Sequence, residues 1–382
     1  MNFLDENICK EIRETVNSTN IFYRDDKEKN NYNLICAVLD RIDDSVNFLN
    51  NNYDKLSNYN DILLFFVHSC IIVDAVESIM NQLGISYKDY NTTTYFNDAY
   101  LLETLGIVEE DCITDVYFFR YLRSIIFAHP FETNRIKFLK RRDETHYSPY
   151  LISERYSMDK DKIGIMIYSN KFSNTISLYI PKTSIYNYID YRYKLLNLAN
   201  TELKKRIENK NKEWMKSKIN KEQTTEQILV DILNTLNVRY NNTYDIETFI
   251  NIIKYKSQNL KNEISVNKVK DVIISFIPQI CDCIDNLDYE NYYEIVEKIT
   301  NIRIQDDFIR YQIQKILTYL NFEESTGNQE WGKSCAKIFA ERFANKWVDI
   351  DVDNMNYEEI KLLTIVACYL EKQEEIKLDN KC

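Results

Sequence analysis

Five glycines and four prolines are spread over 382 residues. Tight turns, glycine-rich phosphate loops and hairpin-rich sandwiches are built from those two residue types, so so small a supply predicts a mostly α-helical protein. The length is enough for two domains, or one large helical body, with a real apolar core.

Hydrophobic spacing gives the organisation. Leu34, Ile35, Val38, Leu39, Ile42, Val46 and Leu49 recur at helical intervals and predict a helix over about 30–50. A second helix is expected from about Asp61 to Gln82, ending at Gly84, where a left-handed cap costs least. Residues 85–110 read as an insertion, and a third helix runs from about Asp111 to His129, where Pro130 disfavours helical geometry in the residue before it. Within 147–182, KIGIMIYSN and TISLYIP are β-branched and aromatic runs that predict a small hairpin. Helical texture resumes over about Tyr186 to Ile219. Thr224 and Gln227 have capping-box spacing and open a second, all-helical domain. Its further helices are expected over about 245–258, 265–285, 304–320, 328–346 and 357–376, with Pro278 kinking or ending one of them. The resulting division is 1–220 and 221–382.

Nine scattered cysteines lack the paired spacings of a zinc site, and the acidic start MNFLDENICK has no signal-peptide pattern. A reduced, cytoplasmic protein is expected. The most apolar run, Ile62 to Val73, is too short to span a bilayer and is interrupted by His68, so it reads as a buried helix with no membrane role. Cys281 and Cys283 have no histidine nearby and read as core thiols. Neither a metal nor another cofactor is expected.

Charge is uneven. The net is -12 over residues 1–134, +10 over 135–220 and -9 over 221–382. The basic island opens with Arg135, Lys140, Arg141 and Arg142 and closes with Lys204 to Lys218. Exposed charges separated by more than about 8 Å are largely screened at physiological salt, so a local cluster of cations can hold phosphates even on an acidic protein. By itself the Lys204 to Lys218 stretch reads as a solvated helix face.

The stretch FRYLRSIIFAHPFETNR puts Arg123 and His129 near the end of an aromatic-rich helical pattern. In an α-helix six steps place them roughly 120° apart and about 9 Å along the axis. A histidine can move the proton of a ribose 2′-hydroxyl while an arginine holds the phosphate and its developing charge, a reaction that needs no metal. Arg120, one turn earlier, can support phosphate binding or form a salt bridge. Asp74 and Glu77, on the second predicted helix, can face this site and orient its residues, or pair with arginines for stability alone. His129 also has a purely structural reading, as a helix-terminal histidine against the last carbonyls. A second match to the same spacing, Arg141 and His146 in RRDETH, has no apolar face to seat it in a bundle. His68 reads as a satisfied core histidine.

An R-x(4–6)-H motif ending a helix of a compact bundle resembles the HEPN (higher eukaryotes and prokaryotes nucleotide-binding) domains. The resemblance covers roughly residues 30–220. It implies a four-helix bundle with the small β-hairpin as an insertion, followed by the all-helical C-terminal domain. It implies a metal-independent endoribonuclease with Arg123 and His129 as motif residues, and with Ser124 where the family often has Asn or another polar residue. It further implies RNA as substrate, a homodimer with the site at its interface, and a role in antiphage defence or as an abortive-infection toxin. The C-terminal domain would then sense or regulate, through a regulatory protein or a phage-derived trigger. The alternative is a catalytically silent helical scaffold that binds a protein or nucleic-acid partner.

Overall fold

The structure, a computed structural model, describes residues 3–24, 29–86, 94–106, 114–133, 144–152, 159–171, 175–240, 243–301, 304–320 and 329–379. The chain is predominantly helical with one small antiparallel sheet. It divides into two compact units, Met1–Glu208 and Asn209–Cys382.

The first unit begins with α1 (Asn7–Asn17), α2 (Ile21–Arg24), α3 (Lys29–Asn52) and α4 (Tyr59–Gln82). Ile35, Leu39, Ile42, Val46 and Leu49 are buried along one stripe of α3, at alternating steps of four and three that keep them on one face. Asn58 caps α4, its side chain accepting from the backbone N–H groups of Asn60 and Asp61. The helix stops where Gly84 takes a φ of 66°, as its lack of a Cβ allows. With 24 residues, α4 is longer than the apolar run alone implies, and it is long and apolar enough to cross a membrane on length and composition. Its apolar character has another use here: it packs against α3 and α7, burying Ile62, Phe65, Phe66, Ile72, Val76, Ile79 and Met80.

Next come α5 (Ala99–Thr104) and α6 (Asp115–Arg123), then a π-helical turn over Ser124–Ala128. The Thr114 hydroxyl caps α6 by accepting from the Tyr117 N–H. The buried Asp115 carboxylate accepts from the N–H groups of Thr94, Tyr95 and Phe96 at 2.9–3.1 Å, which pins the start of α6 to the preceding segment.

The hairpin expected within 147–182 is formed by β3 (Lys162–Ser169) and β4 (Ile176–Pro181), with two short strands added: β1 (His146–Tyr147) and β2 (Leu151–Ile152). Both β1 and β2 pair antiparallel with β3, His146 opposite Ser169 and Leu151 opposite Ile165. Ile163, Ile165 and Ile167 alternate into the core, and Gly164 lets β2 approach closely, since a Cβ there would lie 2.8 Å from that of Ile152. The helix expected over 186–219 is two helices, α7 (Lys182–Lys194) and α8 (Leu196–Lys216), separated at Leu195; the boundary between the units falls within α8.

The second unit contains α9 (Thr225–Arg239), α10 (Tyr244–Lys254), α11 (Leu260–Asp285), α12 (Tyr289–Thr300), α13 (Asp307–Tyr319), α14 (Gln329–Arg342) and α15 (Tyr357–Asp379). The Thr224 hydroxyl accepts from the Gln227 N–H and starts α9. Along α11, Val266, Val269, Ile273, Ile277, Ile280 and Ile284 form the buried stripe. Of the two expected outcomes, a kink or an end, Pro278 does not end this helix: both Pro278 and Ile274, whose carbonyl loses its donor, are exposed, so water can satisfy the freed oxygen.

Candidate functional site

Asp74 and Glu77 are three residues apart on α4, and Arg120 and Arg123 are three apart on α6. Residues at that interval share a helix face, so each helix offers a matched pair of charges to the other. Arg123 Nη1 donates to Asp74 Oδ2 at 2.9 Å. Arg120 Nη2 reaches both Glu77 oxygens, at 3.0 and 3.1 Å. Arg192 of α7 approaches the same carboxylate, its Nη2 lying 3.9 Å from Glu77 Oε2.

The two rungs differ in exposure, and that decides what each can do. The Glu77 side chain is 19 % exposed and that of Arg192 1 %, so the carboxylate of the inner rung is held by its surroundings, while Arg120 itself is 47 % exposed. The side chains of Arg123 and Asp74 are 43 % and 55 % exposed and meet through one hydrogen bond. A pair so exposed is worth about 0.2–1 kcal/mol, little enough for a phosphate to displace Asp74 from Arg123. Beneath it, burial pushes the Cys70 thiol up to about 12, with Arg123 pulling weakly the other way.

Beyond Arg123 the chain leaves α-helical geometry. The His129 N–H donates to the Ser124 carbonyl at 2.8 Å, five residues back, closing the π turn. The continuous α-helix expected to reach His129 therefore ends at Arg123, and the wider turn stacks His129 over Ser124. The 120° separation drawn for an α-helix accordingly does not apply. Such π turns recur at functional sites. The His129 carbonyl accepts from the Thr133 hydroxyl at 2.8 Å and from the Glu132 N–H at 3.2 Å, forming a tight turn. The imidazole is exposed and makes no hydrogen bond or ion pair among the described residues, so it does not serve as a cap on the last carbonyls. Ser124 is half-buried, and Phe131 is 78 % exposed.

The other two histidines are engaged. His68 stacks on Phe48 with ring centroids 4.1 Å apart, and its Nδ1 lies 3.2 Å from the Ser45 hydroxyl. His146 departs from its reading as part of a charged, unseated stretch: it is 1 % exposed, in β1, between Tyr121 and Glu144. Its seat comes from long-range contacts, the pairing of β1 with β3 and the Tyr121 ring, whose centroid lies 5.8 Å from that of His146.

Arg135, Lys140, Arg141 and Arg142 lie outside the described residues. Among the described residues no group of His, Cys, Asp and Glu is arranged to hold a metal ion. Cys281 is buried, its thiol pushed up to about 11 chiefly by burial, and Cys283 is half-buried. Sequence reasoning missed Arg192, which carries no local signal beyond the buried Tyr188, Ile189 and Tyr193 around it. It also missed the contacts of His146.

Comparison with family models, with curated proteins and with solved structures finds no match to this chain.

Proposed function

We propose that this chain is a metal-independent endoribonuclease of the HEPN kind, acting in antiphage defence or as a toxin, with Arg123 and His129 at its active site. In this reading His129 accepts the proton of a ribose 2′-hydroxyl while that oxygen bonds to the adjacent phosphorus. The bond from phosphorus to the 5′-oxygen breaks, the departing oxygen takes up a proton, and the products carry a 2′,3′-cyclic phosphate and a 5′-hydroxyl. Arg123, exchanging Asp74 for the phosphate, offsets the charge that builds on the non-bridging oxygens. Ser124 and Arg120 flank the site. Arg135, Lys140, Arg141 and Arg142 would hold the RNA backbone, and a homodimer would bring two copies of the motif together. The C-terminal unit would sense a regulatory protein or a phage-derived trigger.

The observation that carries this reading is the state of His129. Of the three histidines it alone is exposed and without a partner among the described residues, and it follows a π turn six residues after a loosely held arginine. One observation favours the second reading, a catalytically silent scaffold: Arg120 and Arg123 both already have carboxylate partners, as arginines holding two helices together would.

Purified wild type, His129→Ala and Arg123→Ala, incubated with total cellular RNA in EDTA, separate the two. The ribonuclease reading expects cleavage by the wild type, cyclic phosphate ends, and losses of about 100-fold or more in each variant. Both variants should keep the wild-type circular dichroism, since His129 is exposed and the Arg123 pair contributes little. A wild type that cuts no RNA, together with a His129→Ala that unfolds, establishes the scaffold.

A further inference from the structure

His146 links the two parts of the candidate site that the π turn separates. On the main-chain side, its N–H donates to the Thr133 carbonyl at 3.0 Å and its carbonyl accepts from the Thr133 N–H at 2.9 Å. Thr133 closes the turn that begins at His129, through its hydroxyl bond to the His129 carbonyl. The Ser148 N–H adds a bond to the Pro130 carbonyl at 2.6 Å, so β1 and its continuation hold the His129–Thr133 turn at both ends.

On the side-chain side, Nδ1 lies 2.8 Å from the Tyr121 hydroxyl and Nε2 lies 3.0 Å from Glu144 Oε1. The Ser169 hydroxyl donates to that same oxygen at 2.8 Å. A carboxylate only accepts, so Nε2 carries the proton; in the neutral ring Nδ1 is then the acceptor, and Tyr121 donates to it. Burial favours the protonated phenol, raising the Tyr121 pKa well above its ordinary value. Tyr121 sits on α6 between Arg120 and Arg123. His146 therefore ties the arginine-bearing helix by its buried imidazole and the histidine-bearing turn by its backbone.

We infer that His146 is a positioning residue: through Tyr121 and Thr133 it fixes the attitude of the His129 turn against α6, and so of His129 against Arg123. Its catalytic consequence rests on the ribonuclease reading, whereas the tie itself does not. A merely structural histidine would lower global stability, but it would not govern this turn in particular.

Tyr121→Phe is the informative variant, because it deletes one hydroxyl and keeps the ring that fills the core. His146→Ala and His146→Gln accompany it, the glutamine amide offering one donor and one acceptor as the neutral imidazole does. Amide hydrogen exchange at Thr133 and Ser148 should speed up roughly 5- to 150-fold in Tyr121→Phe, the loss expected when a buried acceptor loses its donor. Exchange in α3 and α4 should hold at wild-type rates. On RNA, kcat should fall with KM unchanged, and His146→Gln should recover part of what His146→Ala loses.

Unchanged exchange at Thr133 and Ser148 overturns the inference, as does a rise shared by the whole first unit. So does an unchanged kcat in an active enzyme whose turn has loosened. A wild type without ribonuclease activity sinks the ribonuclease reading alone; the exchange rates then decide the positioning role by themselves.

Discussion

Glu77→Gln tests the unequal rungs between α4 and α6. The substitution keeps side-chain volume and removes the charge that faces both Arg120 and the buried Arg192. Breaking a buried ion pair by removing one partner costs about 3–5 kcal/mol. The 19 % exposure of Glu77 and the 3.9 Å approach of Arg192 argue for the low end of that range, about 3 kcal/mol. Asp74→Asn is the control, removing the exposed, singly bonded rung at about 0.2–1 kcal/mol. Urea unfolding followed with two probes isolates the effect. All three tryptophans, Trp214, Trp331 and Trp347, lie in the Asn209–Cys382 unit, so their fluorescence follows that unit, while far-ultraviolet circular dichroism follows the whole chain. With a urea slope of about 1–3 kcal/mol per molar, the transition invisible to tryptophan should move down by about 1–3 M in Glu77→Gln and by less than 1 M in Asp74→Asn. The tryptophan transition should stay in place for both. Equal midpoints for the two variants, or an equal displacement of the tryptophan transition, would refute the argument that burial separates the rungs.

Two more outcomes follow from the charges. Burial lowers the His68 pKa below its usual 6.5, so the unfolded chain takes up this proton at a higher pH than the folded one. The folded state should keep its full stability above about pH 6.5 and lose some as the pH falls through 6.5 towards the lower folded value. In thermal melts between pH 7.5 and 5 the wild type should lose stability relative to His68→Phe as the pH falls, and parallel curves would count against the assignment. Exchanging Lys140, Arg141 and Arg142 together for glutamine should weaken RNA binding and flatten its dependence on log salt by about two units, at about 0.7 per lost phosphate contact on a single strand. An unchanged slope would move the RNA to another surface.

The fold was legible where apolar residues recur on one stripe, because that periodicity is local. The elements α3 and α4 follow their apolar spacing to within a few residues, with Gly84 marking the stop. Where the cause is tertiary, the sequence was silent or misleading. Nothing at Leu195 signals the break between α7 and α8, since no glycine or proline stands there. Pro278 carries a strong local stop signal, yet α11 runs on past it with the ring turned to solvent. The helix α12 buries Tyr292, Ile295, Val296 and Ile299, but its aromatic first position and its many polar neighbours blur the stripe.

The candidate site shows the same division with more consequence. That Asp74 and Glu77 could pair with arginines was readable, and the structure pairs them with Arg123 and Arg120. The π turn was not readable, because Ser124–Ala128 reads as ordinary helix until Pro130 interrupts it. The two R-x(4–6)-H matches make the limit plain. Their spacings are nearly the same, yet His129 is exposed and His146 buried, because His146 pairs with Ser169, 23 residues further along the chain, and His129 has no such partner among the described residues. A spacing motif nominates histidines, and long-range pairing decides which of them can reach a substrate. In the positioning role inferred above, the buried histidine supports the exposed one through Tyr121 and Thr133, so the second match would serve the site with no contact to substrate required.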